Sequence, residues 1–393
     1  ARAAFIACGT VSALVVIQLS GNAAWAGVPA AVLSLAGAFA ALVVGATTER
    51  LGRRRGLALG LGVGVLGMGV AAGAIVAGAL LLFLGGLVLM GVASAALLLG
   101  RFAAAEVHPA ERRGRAISNV VIGGAIGSVV GPLIVGPSGR WAQRAGVNEL
   151  AGPYLAALVI LAVAALVTFA WLRPDPRDVG RKMAEKHPEP TVHQGPARSI
   201  YQILRTPAGS VAVLAMALSQ MVMVMMMVVT SPYMMMHQHD LTDISLVIAA
   251  HTFGMFAFSS AAGRLTDRWG RGWVILAGAG LLVLACAIAP LSPGVLPLAS
   301  ALFLLGLGWN FCFVGGSTLL SDLLSPAERA RTQGANDLLI GLATAAASLG
   351  SGFIFAFTSY TVMGIVGVVV SLVPLGLAGW WMATARRPAA ALL

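Results

Sequence analysis

The sequence predicts an all-α membrane protein: twelve transmembrane helices set as two six-helix bundles. Three observations carry this prediction: an apolar composition, a one-sided distribution of basic residues and a loop pattern that occurs twice. Of 393 residues, 59% are hydrophobic and only 10% charged, against about 25% charged in soluble domains. A spanning helix takes about 20 mostly apolar residues. Apolar runs near 3–21, 26–47, 56–77, 79–101, 116–136, 151–172, 209–230, 244–263, 273–290, 294–320, 334–357 and 360–384 supply twelve of them. The 49 glycines suit the close helix packing that lipid requires.

The net charge of +11 would suit a polyanion if it were clustered, but its placement argues otherwise. With the N-terminus in the cytoplasm, all of the 25 Lys and Arg except Arg140 and Arg144 fall on the cytoplasmic side. That is the positive-inside pattern. The basic charge therefore sets topology, both termini are expected in the cytoplasm, and no nucleic-acid partner is expected. Cys8, Cys286 and Cys312 lie in apolar runs without paired spacing, so they are read as packing residues. Ala1 stands where Met is expected, which points to a short preceding piece, and no removable signal peptide is read in the chain.

The longest polar stretch runs from Arg173 to Pro207, with Pro174, Pro176, Pro188, Pro190, Pro196 and mixed charges. This composition predicts a mobile cytoplasmic linker with a short surface helix around Ser199–Leu204. It divides the chain into an N-terminal bundle (1–172), a linker (173–208) and a C-terminal bundle (209–393). The two halves repeat a signal. Gly45-Ala-Thr-Thr-Glu49-Arg50-Leu-Gly52-Arg53 follows the second span, and Gly263-Arg264-Leu-Thr-Asp267-Arg268-Trp-Gly270-Arg271 follows the eighth. Later loops echo one another too, Pro109-Ala-Glu111-Arg112-Arg113-Gly-Arg115 against Pro326-Ala-Glu328-Arg329-Ala-Arg331.

These loops resemble the signature of the major facilitator superfamily over the whole chain, with Glu49 where that family usually has Asp. The resemblance implies a transporter rather than an enzyme. It also implies a gating role for Glu49, Arg50, Arg53, Asp267, Arg268 and Arg271, since a carboxylate at a helix end can pair with arginines in only one gate state. A positive-inside cluster without gating is the other account. The fifth span, with Gly123, Gly124, Gly127, Gly131, Pro132, Gly136 and Pro137, resembles the Gly-Pro motif of proton-linked antiporters. Close packing around a proline kink explains it equally, and no Asp or Glu is placed near mid-membrane to carry the proton.

The distinctive chemistry is confined to the seventh and eighth spans. Met223 and Met227 share one helix face, and so do His251 and Met255. Counted from the outer helix ends, the two pairs lie at similar depth on adjacent antiparallel spans. Thioethers are soft, neutral donors suited to Cu(I), and imidazole accepts copper as well. Methionine is also an ordinary core residue, and Met221 with Met225 forms a rival pair. The Met-x-x-x-Met and His-x-x-x-Met pairs resemble those of the CcoA-type bacterial copper importers. That resemblance implies an inner-membrane importer that supplies copper for haem–copper oxidase assembly, with Met223, Met227, His251 and Met255 as ligands. Copper is then cargo rather than a resident cofactor. Membrane lipid, a cytoplasmic copper acceptor or a reductase are the partners implied, and a monomer is expected.

Met234, Met235, Met236, His237 and His239, read as an outer loop, are candidates for copper capture. Gln18, Asn22, Gln220 and Asn310 are polar groups inside apolar runs, either lining a cavity or hydrogen-bonded between helices. A proton-linked exporter of small organic molecules and a transporter-like copper sensor remain as alternatives.

Overall fold

The computed structural model describes residues 1–108, 110–186 and 198–385. Some side chains within helices, Glu49, Glu111, Arg112, Arg113, Arg115, Arg329 and Arg331 among them, also lie outside the described residues. The helices are α1 (Arg2–Ser20), α2 (Val28–Leu51), α3 (Arg53–Ala77), α4 (Leu80–Glu106), α5 (Ala110–Leu133), α6 (Val135–Arg144), α7 (Ala151–Trp171), α8 (Pro176–Lys186) and α9 (Ile200–Leu204). They continue as α10 (Pro207–Met236), α11 (Leu241–Phe256), α12 (Ser259–Trp269), α13 (Arg271–Ile288), α14 (Val295–Asp322), α15 (Pro326–Phe357) and α16 (Tyr360–Ala385). Among the described residues, eleven spans are long and apolar enough to cross a membrane, or twelve when the bent pair α5–α6 counts as one.

The chain forms two compact units, 1–192 with 239–249, and 193–238 with 250–393. In the first, α3 packs on α4 and α7, α2 on α4, and α1 on α5 and α7. In the second, α13 packs on α14 and α16, and α10 packs on α14, α15 and α16.

The duplication seen in the loops recurs in the packing. Gly52 and Gly270 each end one helix and start the next with positive φ, 88° and 92°, a conformation glycine adopts at little cost. A Cβ on Gly67 would stand 2.7 Å from the Gly86 carbonyl, pinning α3 to α4, and one on Gly278 would stand 2.8 Å from the Gly308 carbonyl, pinning α13 to α14. Backbone contact of this kind replaces hydrophobic attraction as the glue between helices in lipid.

Four sequence expectations are corrected. The fifth span does not end at 136: after a 41° bend it continues as α6, because Val135, Gly136, Ser138, Gly139 and Ala142 form a buried face. The seventh span runs past Pro232 to Met236, since Met234 is fully buried and Tyr233 stacks on Tyr360 of α16 with ring centroids 4.1 Å apart. The eighth span is broken between Phe256 and Ser259. There Asn310 donates from Nδ2 to the Met255 carbonyl at 2.6 Å, the acceptor that residue 259 takes in an unbroken helix. The linker carries α8 as well as the expected short helix α9, which Ser199 and Gln202 start with a capping box. Residues 187–197, with Pro188, Pro190 and Pro196, lie outside the described residues.

Both ends of that linker are anchored by carboxylates. Asp175 accepts from the backbone N–H groups of Arg53 (3.0 Å) and Arg54 (3.1 Å), at the electropositive start of α3. In the other unit, the nearly buried Glu328 accepts from Arg198 through its backbone N–H, Nε and a terminal nitrogen, each at 2.9 Å, and from the Ser325 N–H at 3.0 Å. These hydrogen bonds hold the Glu328 carboxyl well below the usual carboxylate range.

Candidate functional site

The four proposed ligands all belong to the second unit. Thr206 caps the start of α10 and Pro207 occupies its first turn, which sets the register that carries Met223 and Met227. Met223 is buried and Met227 half-buried. On α11, His251 is 1% exposed and Met255 half-buried. The His251 ring is held by α14, with Nδ1 2.9 Å from the Leu302 carbonyl, so that Nδ1 carries the proton and donates. Its Nε2 is then the acceptor, and it is buried with no hydrogen-bond partner among the described residues.

α14 acts as a ruler for depth, because α10 packs on it and α11 touches it at His251, Gly254 and Met255. α10 runs antiparallel to it, with Met216 beside Gly316 and the Gln220 Oε1 accepting from Trp309 Nε1 at 2.7 Å. Continuing along both helices, Met223 falls between Gly306 and Trp309, and Met227 between Leu302 and Leu305. α11 runs parallel to α14. His251 lies between Leu302 and Gly306, and Met255 between Gly306 and Asn310. Met227 is thus level with His251, and Met223 with Met255 one turn further along.

Gly306 makes this approach possible. Any Cβ there would strike the His251 carbonyl, and would stand 2.9 Å from the Met255 backbone nitrogen. Among the described residues no three His, Cys, Asp or Glu side chains group as a metal site. His251 and Met255 stand one turn apart on α11, and Met223 and Met227 lie at the same depth on α10.

The structure places the other candidates as follows. Gln220 links two helices, accepting from Trp309 on α14 and donating to Thr344 on α15 at 3.2 Å. Asn310 also donates to the Ser259 hydroxyl at 2.8 Å. Asn22 accepts from the Ala24 N–H at 2.9 Å in the turn after α1, and Gln18 is exposed. Among the capture residues, Met234 is buried and Met236 is 70% exposed. His237 lies against the Tyr233 ring and His239 is 3.0 Å from Asp243.

Of the gating residues, Arg271 bonds Asp322 at 2.8 Å and lies 3.9 Å from Asp267. Arg53 donates to the Thr48 hydroxyl at 3.0 Å, and Arg50 and Arg268 are exposed. Glu49 lies outside the described side chains.

Trp309 was not singled out by the sequence. Its ring stacks on Phe313 at 5.1 Å and meets Phe256 edge-on at 6.2 Å, next to the Met223–Met255 level. Only its Gln220 partner, a polar residue in an apolar run, signalled it.

Two units of packed apolar helices, with a signature loop repeated between spans in each, define a polytopic membrane transporter. The Major Facilitator Superfamily profile matches residues 3–230 and 212–392, and the chain belongs to that family. It is 37% identical over 374 residues to the uncharacterized MFS-type transporter YdeG of Bacillus subtilis (strain 168), covering 94% of this chain and 86% of the relative. It is 30% identical over 366 residues to the riboflavin transporter RfnT of Brucella anthropi, covering 93% and 88%. The crystal structure of the nucleoside transporter NupG shares the fold, with a TM-score of 0.65 at 15% identity over 98% of both chains.

Proposed function

We propose that this transporter imports copper across a bacterial inner membrane by alternating access, supplying it for haem–copper oxidase assembly. The observation that carries the reading is the state of His251. One ring nitrogen is committed to the Leu302 carbonyl and the other is buried and unpartnered, with Met255 one turn away. A carbonyl that fixes the tautomer and leaves the second nitrogen free is the usual support of a metal-ligating histidine. Met223 and Met227, level with this pair, complete a neutral ligand set. Such a set avoids fixed charge in the membrane, and its few ligands permit release.

Radiolabelled copper uptake in cells lacking the protein tests this. The wild-type chain restores uptake and oxidase activity, and Met227→Leu and His251→Leu do not. Normal uptake by both variants, at equal protein levels, overturns the copper site of Met223, Met227, His251 and Met255.

A second reading has its own observation: the aromatic wall of Phe256, Trp309 and Phe313 beside the same site. Flat aromatic molecules stack on such surfaces, and the relative RfnT is named a riboflavin transporter. Uptake of labelled riboflavin that ignores copper and is lost in Trp309→Ala favours this reading. Drug resistance that follows expression favours a proton-linked exporter, and copper binding without transport favours a sensor.

A further inference from the structure

Met216, Met223, Met227 and Met234 are separated by seven, four and seven residues. On α10 these spacings place all four within about 20° of one line along the helix. The Met216 and Gln220 contacts show which way this line faces, toward α14 and α15. Met234 stands at one end of α10, Met223 and Met227 in the middle, and Met216 toward the end that begins at Pro207. On the charge pattern, that end is the cytoplasmic one.

Met216 has surroundings that ordinary packing does not need. Its Sδ, 1% exposed as a residue, is 3.8 Å from Nδ2 of Asn336 on α15. Asn336 is 6% exposed, and its Oδ1 has no hydrogen-bond partner among the described residues. One turn earlier, Thr332 is 1% exposed and its Oγ1 is likewise unpartnered. Buried polar atoms without partners are costly and signal a missing ligand or water. Two of them on one face of α15, beside a thioether, mark a place built to receive something polar.

Resting on the copper reading above, we propose that Met216 is a second copper station, the one from which the ion leaves toward the cytoplasm. Asn336 orients the thioether through its weak N–H···S contact and leaves one sulfur lone pair for the metal. The Asn336 and Thr332 oxygens meet the departing ion or its incoming water. The Gln220–Trp309 hydrogen bond lies between this station and the Met223–Met255 level, so it separates the two.

The test is transport of radiolabelled Cu(I), held by a weak chelator, into liposomes carrying the purified full chain. Copper bound per protein is measured alongside. Met216→Leu is expected to bind copper as the wild type does and to move it about tenfold more slowly, the scale on which support for a metal site acts. Met216→Cys, which keeps a soft sulfur, is expected to be faster than the leucine variant. Wild-type transport by Met216→Leu beside an inactive Met227→Leu overturns the second station and leaves the copper site standing. Equal slowing by the leucine and cysteine variants overturns it too, as a packing effect. An active Met227→Leu overturns the Met223, Met227, His251 and Met255 site on which this proposal rests.

Discussion

Asn310 shows how one side chain shapes a membrane helix. Its amide donates to a carbonyl on α11 and a hydroxyl on α12, and the span breaks between them. Replacing it with leucine leaves the part-buried Met255 carbonyl without its donor. The expected loss is about 1–3 kcal/mol for the orphaned group, read as a lower unfolding temperature of the detergent-solubilised Asn310→Leu variant. Because the break begins one residue after Met255, the copper binding proposed for this site is expected to weaken with it. His251 belongs to the same scale. Its place on the Met255 face was legible from the i, i+4 spacing, but its tautomer depends on the Leu302 carbonyl, 51 residues away and invisible to local patterning.

At the scale of elements, the linker ends are joined to helix starts by carboxylates. Glu328 both completes the capping box of α15 and binds Arg198. Its pKa is depressed in the folded protein. The pairing therefore stabilises at neutral pH, where the carboxylate is ionised folded or unfolded. The contribution is lost as pH falls below the ordinary glutamate range, about 4.3, toward the lower folded value. Glu328→Gln is expected to lower the unfolding temperature at pH 7 and to flatten its decline in acid, as measured by thermal unfolding between about pH 7 and pH 3. The capping box was readable as Ser325 followed three residues later by Glu328. The partner Arg198 was not, because 130 residues separate them.

For the whole molecule, topology is the main expectation. All three cysteines are free and buried, which gives a quiet background for labelling. With the positive side in the cytoplasm, Gln143→Cys, exposed on α6, is expected to react with a membrane-impermeant maleimide added to intact cells. Lys182→Cys, exposed on α8, is expected to react only after the cells are broken. Reversed labelling would invert the proposed direction of transport. The scale also explains the asymmetry of the protein. The scaffold is duplicated down to the paired glycines of α3–α4 and α13–α14, yet the methionine line runs along α10 alone.

The sequence by itself determined the membrane class, the twelve-span plan, the duplicated loops and the Met and His pairs. Each rests on local signals, hydropathy over some 20 residues or helical spacing within one span. Tertiary structure alone decided where spans break or bend, because Asn310 and the buried face of α6 act across helices. It alone ranked the polar candidates, turning Gln220 into a link between α14 and α15 and Asn22 into a cap. Similar depth for the Met and His pairs was legible from the outer helix ends, but that Met227 rather than Met223 stands level with His251 follows from packing on α14, which no single span encodes.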